Sequence, residues 1–559
     1  MFIIFASNPT RRFYFDGVVF ASIIEHGPYE KLFNPHHLLY TPLFYLMHNA
    51  IQAVLGKPIQ ALYMLQWANI VLGTLGVLLM WRLLVRLVED RGLALLVTLL
   101  GCFSFTYWHY TTDADVYIIS TCFLLLAADR LEWIIRHREP RTSDFIAIGL
   151  LQSASILTHQ LNVFWAVCVM VCLAMGVVPG SKSARWRWWW TYALSLSIPV
   201  AAAYFGIGIL VLGHNTVDSF LYWITEYGHE PTYWVSSWKE IPYLTLNGYL
   251  MVFFHRYSIV HGILDYDLRQ AFEEGRFFKG FIKKIFGYYS LGFLFFCYLS
   301  ALYNLKKYLV EFRRRAIFLF SWLAPYVIFQ LFFMPTNHFY KLFIFVPLLA
   351  VFGWFAAVDT SKELRWLKLG IFAIFIVFTI IVQPILGILV FLFVLVFEIF
   401  RDRRSHLYRW GLFILITFLP LYNYIAGIAP ESELKNNPEV VTALALRDDF
   451  HDGDLLIFAG GYDYPGGWII GALTPAKVYA IDYVYKMPDE KRERVFRDVV
   501  DSGGRVLLHP NVQENGPPLE EFAQDMGITQ DQLLDMLHKY EWRPAFEEGG
   551  KEYVEMVVK

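Results

Sequence analysis

Long apolar blocks are the feature that most limits how this chain of 559 residues can fold. Most of them hold about 16 to 25 residues, enough to cross roughly 30 Å of hydrocarbon as helices. Hydrophobic residues make up 57% of the chain and charged residues only 17%, which is low for a soluble protein. Because backbone groups must pair internally in lipid, the blocks are expected to be helices. The sequence therefore predicts a mostly α, polytopic transmembrane protein.

Twelve candidate spans are bounded by charged or turn residues. They run over Leu62–Met80, Gly92–Trp108, Val116–Ile135, Phe145–Leu157, Val163–Val178, Trp188–Leu212, Tyr288–Leu305, Ala316–Met334, Leu342–Val358, Leu369–Val382, Leu386–Phe400 and Trp410–Ile425. Residues 1–7 (MFIIFAS) are too short to span. We interpret them as the end of a first helix whose start is missing, with a short interfacial anchor as the alternative. We therefore expect about 12 to 13 spans.

Lys and Arg gather in alternate short loops, which is the pattern expected of loops that face the cytoplasm. The basic loops contain Arg82, Arg86, Arg91, Arg130, Arg136, Arg138, Arg141, Lys182, Arg185, Arg187, Lys306, Lys307, Arg313, Arg314, Arg315, Lys362, Arg365, Lys368, Arg401, Arg403, Arg404 and Arg409. Two of the loops between them, 108–115 and 158–162, hold no Lys or Arg. The alternation places the segments 8–61, 214–287 and the tail from residue 429 outside.

The tail changes character after Pro430, where charged residues become frequent and apolar runs short. Buried strands are predicted at Asp454–Gly460, Lys477–Ile481, Arg505–His509 and Tyr553–Val558, and helices at Glu490–Val500 and Leu519–Met526. The pairs Gly460–Gly461 and Gly466–Gly467 lack the full dinucleotide fingerprint and are interpreted as turns. We therefore expect a transmembrane domain over residues 1–428 and a small extracytoplasmic α/β domain over residues 429–559.

The net charge gives no sign of a nucleic-acid-binding protein, and the cysteines give no sign of a metal site or a disulfide framework. The net charge is −2, so there is no bulk electrostatic case for a nucleic-acid partner. The five cysteines all fall inside apolar blocks, without the spacing of a metal site or a disulfide framework.

The predicted outer loops carry acidic and histidine residues that could do chemistry. Asp16 follows the first apolar segment in FYFDG, where an isolated carboxylate can equally be a solvated helix cap. Asp113 and Asp115, in WHYTTDADVY, stand two residues apart and could present two carboxylates to one cation. His36 and His37 follow an Asn-Pro turn and precede an amphipathic aromatic stretch. Adjacent histidines on a helix point to different faces, so we do not expect both to bind one metal.

Two further outer turns bring polar residues to the membrane edge. His159 lies in LTHQLN, and a histidine buried there should face protein or water rather than lipid. The loop PTNHFYK brings together His338, Tyr340 and Lys341. Lys341 breaks the charge rule of the outer loops, which suits binding of an anionic group such as a lipid phosphate. A lysine that snorkels to the surface is the alternative.

The first outer loops resemble those of the GT-C type of polytopic glycosyltransferase, which take sugars from polyprenyl-phosphate carriers. FYFDG followed by HHLLYTPLFYL is similar to their first outer loop, with its essential Asp and interfacial helices. Within this group the chain looks most like the protein O-mannosyltransferase branch with the DUF2723 domain, although it lacks that branch's Pro-Pro-Gly. The DVY of the second loop and LTHQLN are similar to later segments of the branch.

The resemblance implies an inverting sugar transfer on the extracytoplasmic face of a bacterial-type cytoplasmic membrane. Asp16 would be the general base or would orient the acceptor hydroxyl, and Asp113 and Asp115 would help to bind the acceptor or a divalent metal ion. His338 and Lys341 would stabilise the departing lipid phosphate, and His36, His37, His159 and Tyr340 are further candidates for substrate binding. The implied partners are a dolichyl- or undecaprenyl-phosphate sugar donor, a protein, lipid or glycan acceptor, and the bilayer.

Two other functions remain compatible with the sequence. A multi-pass transporter has a similar number of spans, but it needs polar groups near the middle of the membrane. Charges within the predicted spans are few, and Asp129, Arg130 and Glu132 lie near a cytoplasmic end. A lipid-linked oligosaccharide ligase or polymerase would share the recognition of a lipid phosphate.

Overall fold

The chain folds mainly into helices, which make up 74% of the computed structural model. A five-stranded sheet lies near the C-terminus. The structure describes residues 1–27, 29–137, 140–229, 231–255, 313–357, 416–459, 466–513, 519–520, 523, 527–548 and 550–557. The predicted fold class, a mostly helical membrane protein with a small C-terminal α/β region, is therefore confirmed.

The described residues before the tail form a series of helices. The α-helices are α1 (Phe2–Ala6), α2 (Phe15–His26), α3 (Tyr40–Leu55), α4 (Ala61–Val88), α5 (Arg91–Cys102), α6 (Phe105–Thr112), α7 (Tyr117–His137), α8 (Thr142–Thr158), α9 (Trp165–Ala174), α10 (Lys182–Phe205), α11 (Val217–Ile224), α12 (Ile241–Phe253), α13 (Arg313–Phe332) and α14 (Phe345–Ala357). Short 3-10 helices lie at Tyr29–Leu32, Pro35–His37, Gln160–Phe164, Glu226–His229, Pro231–Tyr233 and Phe339–Ile344, and a π-helix at Gly206–Val211 continues α10.

Three of the described helices are long and apolar enough to cross a membrane, namely α4, α13 and α10 with its π-helical continuation. Helices α5 and α6 meet the same criterion together but bend by 62° at the break between them. Shorter apolar stretches lie at Gln160–Ala174, Ile241–Phe253 and Phe339–Gly353. The predicted spans at Tyr288–Leu305, Leu369–Val382 and Leu386–Phe400, and part of Trp410–Ile425, lie outside the described residues.

Charged side chains on α4 and α7 pair with one another. Arg86 of α4 contacts the carboxylates of both Asp129 and Glu132 on α7, and Arg82 lies 3.0 Å from Asp129. The side chains of Arg86, Asp129 and Glu132 are all largely buried. Because an unpaired buried charge is costly, the pairing explains how α7 can carry acidic residues in an apolar helix.

The tail forms a mixed sheet with helices around it. Its strands are β1 (Leu455–Phe458), β2 (Lys477–Ala480), β3 (Val506–Leu508), β4 (Glu541–Glu548) and β5 (Lys551–Val557), in the order β2-β1-β3-β5-β4. Strand β1 is parallel to β2 and β3, whereas β5 is antiparallel to β3 and β4. Strands β1, β2, β3 and β5 lie where the sequence predicted strands, and β4 was not predicted.

The helices of the tail surround a core centred on β1 and β3. They are α15 (Ala429–Ser432), α16 (Pro438–Ala445), α17 (Gly466–Leu473), α18 (Ile481–Lys486), α19 (Asp489–Asp501), α20 (Pro510–Gln513) and α21 (Gln530–Leu537). The predicted helix at Glu490–Val500 corresponds to α19. The interpretation of Gly466–Gly467 as a turn was wrong, because this pair opens α17. Most of Leu519–Met526 and the Gly460–Gly461 pair lie outside the described residues.

The chain divides into two compact units that do not follow sequence order. The helical unit consists of Met1–Phe5, Val71–Thr111 and Tyr117–Pro430. The sheet unit consists of Ala6–Ile70, Thr112–Val116 and Glu431–Lys559, so it joins the first outer segment to the tail. The predicted domain boundary between residues 428 and 429 stays a prediction.

Candidate active site

The residues singled out in the sequence are divided between the two units. The sheet unit contains Asp16, His36, His37, Asp113 and Asp115. The helical unit contains His159, His338, Tyr340 and Lys341. One group is therefore mainly acidic, and the other combines histidines, a tyrosine and a cation.

Asp113 fixes the backbone immediately before Asp16. Its carboxylate is fully buried and accepts hydrogen bonds from the backbone N–H of Ala114, at 2.7 Å, and of Tyr14, at 3.2 Å. Tyr14 is the residue that precedes α2, and its side chain does not cap the helix. A charged acceptor strengthens such hydrogen bonds. Asp113 therefore links the turn of the second outer loop to the start of the helix that carries Asp16.

Asn69 fixes the conformation of the same turn from its other side. Its side-chain amide donates to the backbone carbonyl of Asp113 at 2.9 Å and to that of Asp115 at 2.5 Å. Asp115 is also buried, and its carboxylate accepts from the N–H of Val116 at 2.6 Å. Buried backbone carbonyls need hydrogen-bond donors. In this turn the side-chain amide of Asn69 is the donor, in place of the backbone N–H groups of a helix. Both aspartates are therefore held in one defined geometry.

Asp16 lies in the first turn of α2 and is partly exposed, unlike the two buried aspartates. A carboxylate in this position interacts favourably with the helix dipole. The next residue, Gly17, allows the start of α2 to approach the turn closely. A Cβ atom added to Gly17 would lie 3.0 Å from the carbonyl carbon of Ala114. In FYFDG, Asp16 thus provides an accessible carboxylate. Gly17 allows the backbone of α2 to lie close to the backbone of Ala114.

Tyr40 shows that the three carboxylates share one neighbourhood. Its hydroxyl donates to the carbonyl of Ala114 at 2.9 Å, and its side chain is fully buried. Burial raises the pKa of Tyr40, and the negative charges of Asp115, Asp113 and Asp16 raise it further. Tyr40 therefore stays neutral and acts as a hydrogen-bond donor beside the acidic group. The sequence analysis did not single out Tyr40, because its role depends on a contact with a residue far along the chain.

The two adjacent histidines lie on one short helix of the first outer segment. Both are buried on the 3-10 helix Pro35–His37, which Asn34 caps by accepting from the N–H of His36 at 2.9 Å. The ring of His37 packs edge-on against Phe20 of α2, with ring centres 5.4 Å apart. His37 thus supports α2 from the side of the first outer segment.

Two arginines near Asp16 were passed over in the sequence. Arg11 donates its backbone N–H to the carbonyl of Glu431 at 2.7 Å, and its guanidinium lies 5.3 Å from the centre of the Tyr63 ring. Arg12 is exposed. The signal was present, because both arginines break the charge rule of the predicted outer segments in the same way as Lys341.

His159 and Tyr340 belong to an aromatic cluster in the helical unit. The ring of His159 lies 4.7 Å from Phe343, 5.3 Å from Tyr117 and 5.5 Å from Tyr340. Its Nδ1 atom accepts from the N–H of Leu161 at 3.3 Å, which joins α8 to the following 3-10 helix. His159 is buried among protein groups, as an ionisable side chain at the edge of a span should be.

His338 lies at the start of the 3-10 helix Phe339–Ile344 and is buried. Its ring is 5.9 Å from that of Tyr110 and 6.1 Å from that of Phe105. The same Phe105 ring lies 4.8 Å from the ring of His255. His338 therefore shares an aromatic environment with a histidine that the sequence analysis did not single out.

Lys341 is completely buried, so the alternative of a snorkelling lysine is wrong. Its ammonium donates to the carbonyls of Pro335, at 2.9 Å, and Asn337, at 2.8 Å. It also lies 5.2 Å from the centre of the Tyr249 ring. Among the described residues no carboxylate pairs with it. Lys341 is thus buried, and its two hydrogen bonds fix the turn before it.

The described part of the chain contains no preformed metal site. No group of three or more His, Cys, Asp or Glu side chains there is arranged to hold one. Asp113 already accepts two backbone hydrogen bonds, and Asp115 accepts one. Asp113 and Asp115 as ligands of a divalent cation therefore stay a prediction.

Comparison with known proteins gives a result only at the level of three-dimensional structure. No protein-family model matches the chain, and no curated protein matches it. The crystal structure of apo ArnT from Cupriavidus metallidurans matches with a TM-score of 0.53 and 12% identity, over 99% of this chain and 95% of that one. ArnT bound to undecaprenyl phosphate matches with a TM-score of 0.50 and 12% identity, over 99% and 96%.

The oligosaccharyltransferase of Archaeoglobus fulgidus, tethered with an acceptor peptide, is a more distant neighbour. Its TM-score is 0.45 at 12% identity, over 98% of this chain and 70% of that chain. Both neighbours are GT-C glycosyltransferases. At such low identity the match with ArnT establishes the fold, and the DUF2723 branch stays a prediction. This chain therefore has the ArnT-like GT-C fold that the resemblance of its outer loops predicted.

Proposed function

We propose that this protein is a membrane glycosyltransferase that takes a sugar from a polyprenyl-phosphate donor and transfers it to a protein, lipid or glycan acceptor. The observation that carries the proposal is the accessible Asp16 at the start of α2, held beside the buried turn of Asp113 and Asp115. The ArnT-like fold supports it, since one of the matching ArnT structures is bound to undecaprenyl phosphate.

Asp16 is the proposed general base. An acceptor hydroxyl attacks the sugar C1, the new C1–O bond forms as the bond from C1 to the phosphate oxygen breaks, and the hydroxyl proton passes to Asp16. The configuration at C1 inverts, because the attack is on the face opposite the leaving group. Asp113 and Asp115 hold their carboxylates in a fixed position near Asp16, and neighbouring carboxylates favour proton uptake by a base.

Polyprenyl phosphate leaves with its negative charge, so the donor end needs cationic or hydrogen-bonding groups. We assign this role to Lys341 and His338, with Tyr340 and His159 as supporting residues. A buried ammonium whose position is fixed by two carbonyls is preorganised for a phosphate, because no reorganisation is needed as the charge develops. His36 and His37 are proposed to shape the acceptor side.

The function is tested by incubating purified protein with undecaprenyl-phosphate mannose, glucose, galactose and N-acetylglucosamine, each with membrane extract as a source of acceptors. We expect release of undecaprenyl phosphate from at least one donor, measured by mass spectrometry, together with a product heavier by one sugar residue. Donors that stay intact, combined with uptake of a solute into proteoliposomes, would support a transporter instead. Movement of a preassembled oligosaccharide would identify a ligase.

Lys341→Met is expected to weaken binding of undecaprenyl phosphate about tenfold or more, since a charge-assisted contact contributes about 1.5–3 kcal/mol. The measurement is a titration of undecaprenyl phosphate against protein in detergent. Lys57→Met is the control, because Lys57 is exposed beyond the end of α3. Unchanged affinity in Lys341→Met, with a lower unfolding temperature, would mean that Lys341 only stabilises the turn. The exposed Arg12 would then be the next candidate.

The proposed location is the cytoplasmic membrane, with Asp16 and the tail on the extracytoplasmic face. In a variant without the native cysteines, single cysteines at the exposed positions Lys57, Trp238 and Lys551 should react with a membrane-impermeant maleimide in intact cells. Cysteines at Arg141 and Arg314 should react only after permeabilisation. The alternation of basic loops is the physical reason. The opposite labelling pattern would place the acidic group in the cytoplasm.

A further inference from the structure

The helix that carries Asp16 rests on a helix of the tail, more than four hundred residues away in the sequence. Helix α2 and helix α17 both belong to the sheet unit. At the start of α2, the ring of Phe15 meets the ring of Trp468 edge-on, with centres 6.5 Å apart. At its end, the Nε2 atom of His26 lies 3.1 Å from the carbonyl oxygen of Thr474, just after α17. A carbonyl can only accept, so His26 is the donor.

The middle of α2 approaches α17 at a glycine. A Cβ atom added to Gly471 would lie 2.6 Å from the hydroxyl oxygen of Ser22 and 2.5 Å from a methyl carbon of Val478. Both side chains are buried. A residue larger than glycine would require the side chains of Ser22 and Val478, or the elements that carry them, to shift. The contact is therefore close enough to fix the distance between the two helices.

These contacts follow one face of α2. Phe15, Ser22 and His26 are spaced by seven and four residues, which places them above one another on a helix. Gln60, just before α4, adds a hydrogen bond at 3.2 Å to the carbonyl of Leu473. Near its start, α2 also packs against the turn of the second outer loop, where Gly17 lies close to Ala114. Helix α2 is thus held between the turn of the second outer loop and the tail.

We propose that α17 is a positioning element for catalysis: through Gly471 and the Thr474 carbonyl it sets where α2 presents Asp16. This inference rests on the proposed role of Asp16 as general base. Proton abstraction depends steeply on the placement of the base, and a misplacement of about 1 Å can cost 100-fold in rate. The tail domain would then contribute to turnover without touching the substrate.

The test compares variants at this contact with a matched change elsewhere in the tail. Gly471→Leu forces α2 away, and we expect kcat to fall about 10- to 100-fold while KM for the donor stays within twofold. Kinetics are measured as release of undecaprenyl phosphate from whichever of the four undecaprenyl-phosphate sugars turns over. Phe496→Leu is the control, because Phe496 lies in the core of the tail and packs against Tyr540. It should lower the unfolding temperature and leave kcat unchanged.

A second pair of variants decides the question if Gly471→Leu does not fold. His26→Ala removes the hydrogen bond to Thr474 and should lower kcat about fivefold, whereas His26→Gln retains a donor and should restore it. Values of kcat for both contact variants within twofold of the Phe496→Leu control would overturn the positioning role. Failure of the proposed function is distinguishable, because the wild-type protein would then release no undecaprenyl phosphate from any of the four donors. Failure of the Asp16 role alone is also distinguishable, because Asp16→Asn would then remain active.

Discussion

Asp16→Asn is expected to lower the rate of sugar transfer at least 100-fold, the largest effect of any single change proposed here. Asparagine has the shape of aspartate but cannot accept the proton of the acceptor hydroxyl, and general base catalysis contributes about 100- to 10,000-fold to a rate. Stability should change by about 1 kcal/mol or less, because Asp16 is partly exposed and the interaction of such a carboxylate with a helix dipole is worth about 0.3–1 kcal/mol. The measurement is release of undecaprenyl phosphate beside thermal unfolding in detergent.

Asp531→Asn is the matched control, since Asp531 is an exposed carboxylate in the first turn of α21. It loses the same interaction with a helix dipole but should transfer sugar at the normal rate. Near-normal transfer by Asp16→Asn would remove Asp16 from the mechanism. Loss of transfer together with a collapse of thermal stability would instead mean that Asp16 is structural.

Gly17→Ala is expected to reduce kcat about 10- to 100-fold although it adds a single methyl group. The new Cβ would lie 3.0 Å from the carbonyl carbon of Ala114 and 3.2 Å from its oxygen, and backbone atoms cannot rotate away. The start of α2 must therefore shift by a few tenths of an ångström or more, and Asp16 shifts with it. The change should appear in kcat rather than in KM for the donor.

Gly92→Ala provides the comparison, because the nearest atom to its added Cβ is a carboxylate oxygen of Asp90 at 3.5 Å. Gly92 also lies near the start of a helix, so both changes gain similar helix propensity. Equal rates for the two alanine variants would contradict a role for the Gly17 contact. Enlarging Ala114 to valine should have an effect like that of Gly17→Ala, since it narrows the same contact from the other side.

The sequence predicted best those strands whose burial is visible as a continuous run of apolar residues. Buried strands such as β1 and β3 are short, continuous apolar runs, and they were predicted nearly to the residue. Strand β4 was missed because it lies at an edge of the sheet and is largely exposed, so it has no apolar run. It also contains Pro544, next to an irregularity in its pairing with β5, and proline is tolerated only at such edges.

Some residues of the candidate site could be singled out from the sequence, but their contacts could not. The spacing of Asp113 and Asp115, and the position of Asp16 after an apolar segment, are local features that can be read from the chain. The support that Tyr40 gives to the carbonyl of Ala114, and that Gly471 gives to α2, joins segments far apart in sequence. Such contacts depend on packing in three dimensions, which a single sequence does not specify.

The composition of the sheet unit has a consequence for biosynthesis. The unit joins residues 6–70 and 112–116 to residues 431–559. At about 5 to 20 residues per second, a ribosome needs roughly 20 to 70 s to proceed from Val116 to Leu473, the end of α17. Throughout that interval the ribosome has already made the turn of Asp113 and Asp115. It has not yet completed α17, the helix that packs against α2. A chain that stops before α17 therefore contains Asp16, Asp113 and Asp115 but not the helix that packs against α2, and we expect it to transfer sugar slowly or not at all.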